Sequence, residues 1–134
     1  PPIGLFGKLV VESEGEHKDA FNLKWAMQPI VDLARIYSLK HGIVQTNTLT
    51  RLFRLYTKNI FTNKQYIDLV QSYNYAMHLR FLRQITAIVD EEKIPDNYIN
   101  PNNLSYLDTA MLKEAFKKIE QFQGKLKSEF IGTV

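Results

Sequence analysis

The sequence contains no cysteine, and it has only three histidines and six glycines in 134 residues. Without cysteine the chain cannot form a disulfide, a thiolate nucleophile or a cysteine-ligated metal site. No two histidines have the short spacing of metal ligands on one helix, and the scattered glycines form no phosphate-binding loop. We therefore expect no metal, no cofactor and no catalytic residue in this chain.

Long apolar runs and clusters of one charge are also missing. No segment reaches the length that spans a membrane, and no secretory signal pattern opens the chain. The net charge of +3 comes from lysines and arginines interspersed with acids, so nothing demands a nucleic-acid partner. We expect one cytoplasmic domain over residues 1–134, with no membrane and no nucleic-acid partner. The opening Pro1-Pro2 without methionine suggests a fragment of a longer protein.

Hydrophobic periodicity predicts an all-α fold, an antiparallel four-helix bundle of two long and two short helices over residues 29–131. The helices are expected at 29–41, 48–57, 63–91 and 105–130. Pro29 suits the first turn of a helix, and Thr62 with Gln65 has the spacing of a capping box before the third helix. The long helices carry apolar stripes that we predict to face the core, namely Tyr66, Val70, Tyr73, Met77, Phe81 and Ile88 in the third helix, and Leu107, Met111, Ala115, Ile119, Phe122, Leu126 and Phe130 in the fourth.

The start of the chain has a different pattern. Phe21, Leu23 and Trp25 alternate with polar residues, which predicts a strand of a short N-terminal β-hairpin or an extended segment. The other strand of such a hairpin would be Leu5–Val11. We assign residues 1–26 to this lead-in to the bundle.

The connection between the two long helices contains Pro95 and Pro101, which interrupt helical structure. Tyr98 and Ile99 lie between these prolines and are apolar, unlike the residues of an ordinary solvated linker. We predict a structured connection that holds both side chains in the core.

Two polar residues fall within the predicted apolar arc of the third helix. Arg80 and Gln84 lie close in angle to Tyr73, Met77 and Phe81 around the helix axis. A charge held against apolar neighbours needs a partner or a wet cleft, because burying an unpaired charge is costly. One hypothesis is that Arg80 and Gln84 line a cleft that contacts an anionic or hydrogen-bonding substrate. The alternative is that Arg80 reaches solvent or pairs with an acid such as Asp108.

The first helix carries a further candidate pair. Asp32 and Arg35 lie three residues apart on its polar side, where they would face a neighbouring domain or form an ordinary surface ion pair. Arg35 and His41 also have the R-x(4–6)-H spacing of the HEPN ribonucleases, which are helical bundles that act on RNA phosphates. A HEPN-like RNA-binding or ribonuclease bundle that uses Arg35 and His41 is therefore an alternative function. His41, just before Gly42, equally suits a helix end.

Several segments occur in the order that is found in one known family: Gly4-Leu5-Phe6-Gly7-Lys8, Gly15-Glu16-His17-Lys18, residues 29–35, residues 78–84, residues 95–101 and Leu112-Lys113-Glu114-Ala115-Phe116. Over nearly its whole length the chain resembles the nucleotidyltransferase substrate-binding domain, a bacterial C-terminal helical module. The resemblance implies a parent protein in which cyclic-nucleotide-binding and CBS domains precede a nucleotidyltransferase domain similar to that of protein-PII uridylyltransferase.

In that superfamily the upstream catalytic domain binds Mg²⁺ and a nucleoside triphosphate through a Gly-Ser turn and an Asp-x-Asp pair. This chain contains neither pattern. The resemblance therefore implies a non-catalytic substrate-binding or regulatory domain of a signal-transduction protein. Its expected partners are the upstream nucleotidyltransferase domain, a protein substrate and a second copy of the chain. Arg80, Gln84, Asp32 and Arg35 are our candidate contacts in a substrate or interdomain cleft.

One departure from the family pattern concerns Asn22. Relatives commonly have Phe-Asp-x-Lys where this chain has Phe21-Asn22-Leu23-Lys24. A carboxylate there would act on the metal or on the attacking hydroxyl of the neighbouring site, whereas an amide cannot accept a proton as a base. The activity of the parent protein is therefore left open.

Overall fold

A computed structural model of the chain describes residues 18–132 together with Val11 and Gly15. The elements in this part are β1 (Phe21–Asn22), α1 (Lys24–Lys40), α2 (Thr48–Thr57), α3 (Asn63–Val89), β2 (Tyr98–Ile99) and α4 (Tyr106–Phe130), with one turn of 3₁₀ helix at Pro101–Asn103. The predicted all-α bundle is thus confirmed. In the described part of the chain, no helix is both long enough and apolar enough to cross a membrane.

Helices α1 and α3 each contact all of the other three helices. Tyr37 of α1 is buried, and its ring packs edge-on against Phe61 with centroids 5.0 Å apart. At the other end of the core, Phe21 of β1 packs against Phe116 of α4 with centroids 5.5 Å apart. The short strand therefore contributes a fully buried aromatic ring to the helical core.

Helices α3 and α4 lie antiparallel beside each other, and two contacts along their length define this arrangement. The Tyr75 hydroxyl donates a hydrogen bond to the Asp108 carboxylate near the start of α4. Two turns earlier on α3, Asp68 forms an ion pair with Lys118 farther along α4, with Oδ1 and Nζ 3.1 Å apart.

Helix α1 begins at Lys24, five residues before the predicted start at Pro29, so Pro29 lies inside the helix. The amide of Lys24 donates to the side-chain oxygen of Asn22 at 3.0 Å, and the amide of Ala26 donates to the Leu23 carbonyl at 3.1 Å. These bonds satisfy amides at the helix start without a conventional cap. Pro29 is the sixth residue of α1, so it leaves the Trp25 carbonyl without the amide donor that a regular helix would provide.

The strand predicted around Phe21 is present, but its described partner is β2. Phe21 pairs with Ile99 and Asn22 pairs with Tyr98 in an antiparallel register. Trp25 lies in α1, so its assignment to the extended lead-in is wrong. The predicted partner strand at residues 5–11 lies outside the described residues except for Val11.

The connection between α3 and α4 is structured, as predicted. Besides the β1–β2 pairing, the amide of Leu23 donates to the backbone carbonyl of Asn97 at 2.8 Å. Ile99 packs against the core, whereas Tyr98 is half-buried. The segment therefore joins the start of α1 to the end of α3.

Several predicted helix limits are confirmed. Helix α2 has the predicted bounds, and α3 begins with the predicted capping box, in which the Gln65 amide donates to Thr62 Oγ1 at 3.2 Å. Helix α4 begins after Ser105, whose hydroxyl accepts from the Asp108 amide at 3.0 Å. Helix α3 ends at Val89, slightly before the predicted limit.

The predicted core stripe of α3 is correct in its first half, where Tyr66, Val70 and Tyr73 are partly buried against the core, and it is wrong in its second half. The residues that are buried on α3 are Leu69, Ser72, Ala76, Leu79 and Ala87. Phe81 and Ile88 are 60% and 57% exposed, so neither lies in the core. Three of these five buried residues are small, namely Ser72, Ala76 and Ala87.

The predicted stripe of α4 is correct for its middle part only. Ala115, Ile119 and Phe122 are buried as predicted. Leu107 and Met111 are instead 66% and 43% exposed. Leu112, one residue after Met111, is buried instead, and Phe116 is buried beside Ala115.

Candidate functional site

A cleft of about 510 Å³ lies between the second half of α3 and the connection that leads to α4. Its apolar lining includes Leu79, Ile99 and Leu104, and charged side chains from both sides of the cleft line the rest. The volume is that of a small-molecule or side-chain site, which typically combines an apolar floor with a few polar groups. The β1–β2 pairing positions one wall, since it fixes Ile99 next to the core.

Arg83 of α3 binds the connection at two points. Its Nη1 and Nη2 donate to the two carboxylate oxygens of Glu91 at 2.7 and 3.0 Å. Its Nε and Nη2 donate to the carboxylate of Asp96 at 3.1 and 3.3 Å. The arginine side chain is only 17% exposed. This Arg83 cluster uses the planar guanidinium as a fork, and such bidentate pairs are geometrically specific.

The cluster changes the acid–base properties of its members. The hydrogen bonds from Arg83 hold the pKa of Glu91 below its usual value. The pKa of Arg83 is raised, first by its bonds to Glu91 and then by those to Asp96. Asp96 also accepts a hydrogen bond from the Tyr98 amide at 3.0 Å, which ties the cluster directly to β2. The ionised carboxylates therefore hold the connection against α3.

Asp108 lies at the side of the cleft where α4 begins. Its carboxylate accepts a hydrogen bond from the Tyr75 hydroxyl, and this bond is the main reason that the pKa of Asp108 is lowered. The hydrogen bonding of Asp108 with Ser105 lowers this pKa further. The pKa of Tyr75 is raised, chiefly by burial and then by its hydrogen bond to Asp108. Asp108 is thus a fixed anion at the edge of the cleft.

Two lysines complete the charged lining. Lys18 and Lys93 both border the cleft. Among residues 18–132, neither forms an ion pair, whereas Arg83 is already paired with Glu91 and Asp96. The cations that remain available to a ligand are therefore lysines on exposed sites, which suit an acidic or phosphate-bearing group near an apolar floor.

The structure places Arg80 next to the cleft and gives it a partner. Its Nε donates to the side-chain oxygen of Asn97 at 2.7 Å, and the guanidinium is half-buried. Asp108, the partner considered from the sequence, is bonded to Tyr75 instead. Because the Asn97 carbonyl accepts from Leu23, Arg80 helps to hold the segment that connects β2 to α1.

The other candidate residues lie elsewhere. Gln84 is half-buried on α3 and does not line the cleft. Asp32 and Arg35 form an ion pair at 2.7 Å on the solvent side of α1, and Gln28 donates to the same Asp32 oxygen at 2.9 Å. Their predicted contacts with a substrate or a neighbouring domain stay predictions.

Sequence reasoning did not find the Arg83 cluster. Its members are 8 and 13 residues apart along the chain, a separation that follows no helical period. The available signal was chemical: an arginine one turn after Arg80, followed by an acidic segment beyond the end of the helix. Neither feature specifies a contact without the path of the connection.

Arg35 and His41, the pair proposed for a HEPN-like function, do not lie together. Arg35 is engaged by Asp32, while the His41 amide caps the end of α1 by donating to the Tyr37 carbonyl at 3.1 Å. Six residues correspond to about 600° of rotation, so the two side chains point roughly 120° apart around the helix axis. No contact in the described part of the chain joins them.

Among the residues that the structure describes, no group of three histidine, aspartate or glutamate side chains is placed to hold a metal ion. The bundle and its cleft define a small helical domain of the kind that binds a ligand or another protein surface. The chain belongs to the family described as "Putative nucleotidyltransferase substrate binding domain", which matches residues 1–130. The comparison with curated proteins gave no match, and the comparison with solved structures gave none either.

Proposed function

We propose that this chain is the non-catalytic substrate-binding or regulatory domain of a larger nucleotidyltransferase-like signalling protein similar to protein-PII uridylyltransferase. Family membership over residues 1–130 is the observation that carries the proposal. In the proposed protein, an upstream domain supplies Mg²⁺ and the nucleoside triphosphate, and this domain holds the acceptor substrate beside it.

The cleft supports a role in holding an acceptor. It offers apolar surface at Leu79 and Ile99, and Lys18 and Lys93 lie at its border, where neither forms an ion pair with residues 18–132. A protein acceptor could place an apolar side chain on the floor and an acidic side chain near the lysines. The Arg83 cluster fixes one wall in advance, which lowers the entropic cost of binding.

Asn22 occupies the position at which family members commonly carry an aspartate that would act at the neighbouring catalytic site. Its side-chain oxygen accepts from the Lys24 amide at the start of α1. An aspartate could accept the same hydrogen bond, so the asparagine keeps the structural contact and lacks only the basic carboxylate. In the proposed protein, Asn22→Asp would preserve the fold of this domain and would add an anion near the neighbouring site.

The first experiment tests the absence of catalysis. The purified chain is incubated with Mg²⁺ and labelled ATP or UTP, with and without a PII-type signalling protein as acceptor. We expect no incorporation of label above background. Turnover that co-purifies with the chain through successive columns would refute the proposal.

The second experiment tests the binding role of the cleft with the same PII-type protein as probe. We expect Lys93→Glu to weaken binding at least about tenfold, because it reverses a charge beside the apolar floor. A matched control is Lys117→Glu, which makes the same change at an exposed position of α4. Binding that is absent in the wild-type chain, or equally weakened by both substitutions, would argue against a PII-type acceptor in this cleft.

A further inference from the structure

Helix α2 lies in a strongly basic part of the chain. Residues 33–67 contain six lysines and arginines but no aspartate or glutamate. Since the whole chain has a net charge of +3, the remaining residues together are net negative. The positive charge of the protein is therefore concentrated in the end of α1, the whole of α2 and the start of α3.

Three of these cations form a basic stripe along one side of α2. Arg51, Arg54 and Lys58 follow one another at intervals of three and four residues, which places them side by side on the helix. None of the three takes part in an ion pair within residues 18–132, and Arg51 Nε donates to a neutral partner, the Gln45 carbonyl, at 2.7 Å. Like charges at this spacing repel, and the helix dipole offsets part of the repulsion near the C-terminal end. No acid on α2 offsets the rest.

An apolar stripe runs beside the basic stripe. Leu49, Phe53 and Tyr56 are four and three residues apart, and the first two are 36% and 47% exposed. The Tyr56 ring stacks on the ring of Tyr66 from α3 with centroids 4.8 Å apart, and the Phe53 centroid lies 6.3 Å from that of Tyr66. Contacts with α3 therefore hold the rings of this stripe in place before any partner binds.

The two stripes together form the outward side of α2. Phe53 and Arg54 are adjacent in the sequence, so their side chains point about 100° apart around the helix axis. The inward side carries Thr48, Leu52 and Leu55, which are buried. The residues that line the cleft include none from α2, so this is a separate surface. We call it the α2 surface, and its members are Leu49, Arg51, Phe53, Arg54, Tyr56 and Lys58.

The composition of the α2 surface favours an acidic protein segment as its partner. Carboxylates beside the basic stripe would remove the repulsion between its cations, and complementary charge selects against basic partners. Arginine and aromatic side chains are also the types that are enriched in protein interfaces. Single-stranded RNA fits less well, because its bases stack on exposed ring faces, whereas Tyr56 and Tyr66 are half-buried and stack on each other.

We propose that the α2 surface binds an acidic segment of another protein, with apolar side chains against Phe53 and carboxylates along the basic stripe. Helix α2 has 10 residues, so it is about 15 Å long, and a helical segment of similar length covers it. The proposal concerns a surface outside the cleft and does not depend on the proposed function.

A synthetic peptide provides the first test. The probe is a labelled peptide of about 12 residues with leucines and glutamates at helical spacing, and the control peptide carries lysine in place of each glutamate. We expect saturable binding of the acidic peptide in fluorescence anisotropy, with a dissociation constant below about 200 μM. The lysine peptide should bind at least about tenfold more weakly. Failure of the acidic peptide to bind, or tighter binding of labelled oligouridine RNA than of the acidic peptide, would overturn the proposal.

Paired charge reversals test the location of the site. Arg54→Glu together with Lys58→Glu should weaken binding of the acidic peptide at least about tenfold, because two cations become anions. The matched control is Lys117→Glu together with Lys127→Glu, which makes the same change in net charge at exposed positions of α4. Phe53→Ala should weaken binding at least about threefold without any change in charge. Circular dichroism checks that each variant is folded. Equal effects of the two double variants would contradict an α2 site.

Chemical shifts locate the peptide without any substitution. When the acidic peptide is titrated into the isotope-labelled wild-type chain, the amides of α2 should show the largest changes. The amides of Leu79 and Ile99 in the cleft serve as the internal comparison. Largest changes at the cleft, with α2 unaffected, would refute the assignment of this surface.

Discussion

The substitution Arg80→Met tests the hydrogen bond between Arg80 and Asn97. The sign of the stability change shows whether Arg80 has a partner in the folded domain. If the guanidinium were held in an apolar environment without a partner, Arg80→Met would stabilise the domain, because methionine has no charge to desolvate. The structure gives Arg80 a partner, with Nε and the Asn97 side-chain oxygen 2.7 Å apart. Arg80→Met removes this hydrogen bond and should therefore destabilise the domain.

The magnitude follows from the exposure of the pair. A hydrogen bond to a charged group contributes about 1.5–3 kcal/mol, and partial exposure to water reduces this to about 1–2 kcal/mol. Methionine retains much of the aliphatic stem, so little packing is lost. For a domain of this size the expected fall in melting temperature is about 3–6 °C. Urea denaturation followed by circular dichroism gives the corresponding change in the free energy of unfolding.

A double-mutant cycle isolates the pair. Asn97→Ala removes the acceptor, and the double variant with Arg80→Met removes both groups. We expect the summed stability losses of the two single variants to exceed the loss in the double variant by a coupling energy of about 1 kcal/mol. A coupling energy near zero, or a more stable Arg80→Met variant, would refute the assigned hydrogen bond.

The same pair has a local readout. The Leu23 amide donates to the Asn97 backbone carbonyl at 2.8 Å, so it reports on opening of the connection. Loss of about 1.4 kcal/mol of local stability corresponds to about tenfold faster hydrogen exchange at this amide. The amides of α2, which has no part in this contact, serve as the internal reference. Uniform acceleration of all amides would indicate global destabilisation only.

Three further changes have defined outcomes. Phe116→Ala should cost about 3–5 kcal/mol in urea denaturation, because it opens a cavity at a side chain that is 1% exposed. Glu91→Gln should flatten the acid limb of the stability curve: the pKa of Glu91 is lowered in the folded state, so its contribution is present above about pH 4.5 and is lost as pH falls. Ser38→Ala should raise the melting temperature, since the buried Ser38 hydroxyl has no hydrogen-bond partner among the described residues.

Controls and contrary outcomes for these three changes are equally direct. Phe53→Ala removes the same side chain at a site that is 47% exposed, and it should cost less than about 1 kcal/mol. An unchanged pH dependence in Glu91→Gln would show that Arg83 does not hold Glu91 in solution. A loss of stability in Ser38→Ala would indicate that the hydroxyl has a partner.

The parts of the fold that were predicted correctly depend on local signals. The capping box at Thr62 and Gln65 involves residues three apart, and the bounds of α2 follow from short-range periodicity. The start of α1 is held in addition by a non-local bond, in which the Leu23 amide donates to the Asn97 carbonyl, and no local signal specifies that contact. Proline at position 29 suggested a later start, and tertiary structure determined the earlier one.

The candidate site was predictable only in its general location. The connection with Tyr98 and Ile99 was expected to be structured, and the cleft lies against it. The pairing of Arg83 with Glu91 and Asp96 could not be derived, because it requires the chain to turn back along α3 after Val89. Arg80 was correctly singled out as a half-buried charge, although its acceptor is an amide oxygen and not a carboxylate.

The error in the predicted stripe of α3 has a physical explanation. Assigning the largest apolar residues to the core assumes that a helix packs on one side only. Helix α3 contacts α1, α2 and α4, and its buried residues include the small Ser72 and Ala76. Phe81 and Ile88 therefore lie outside the core of this domain. The predicted core pattern of α3 fails at these two positions, which are 60% and 57% exposed.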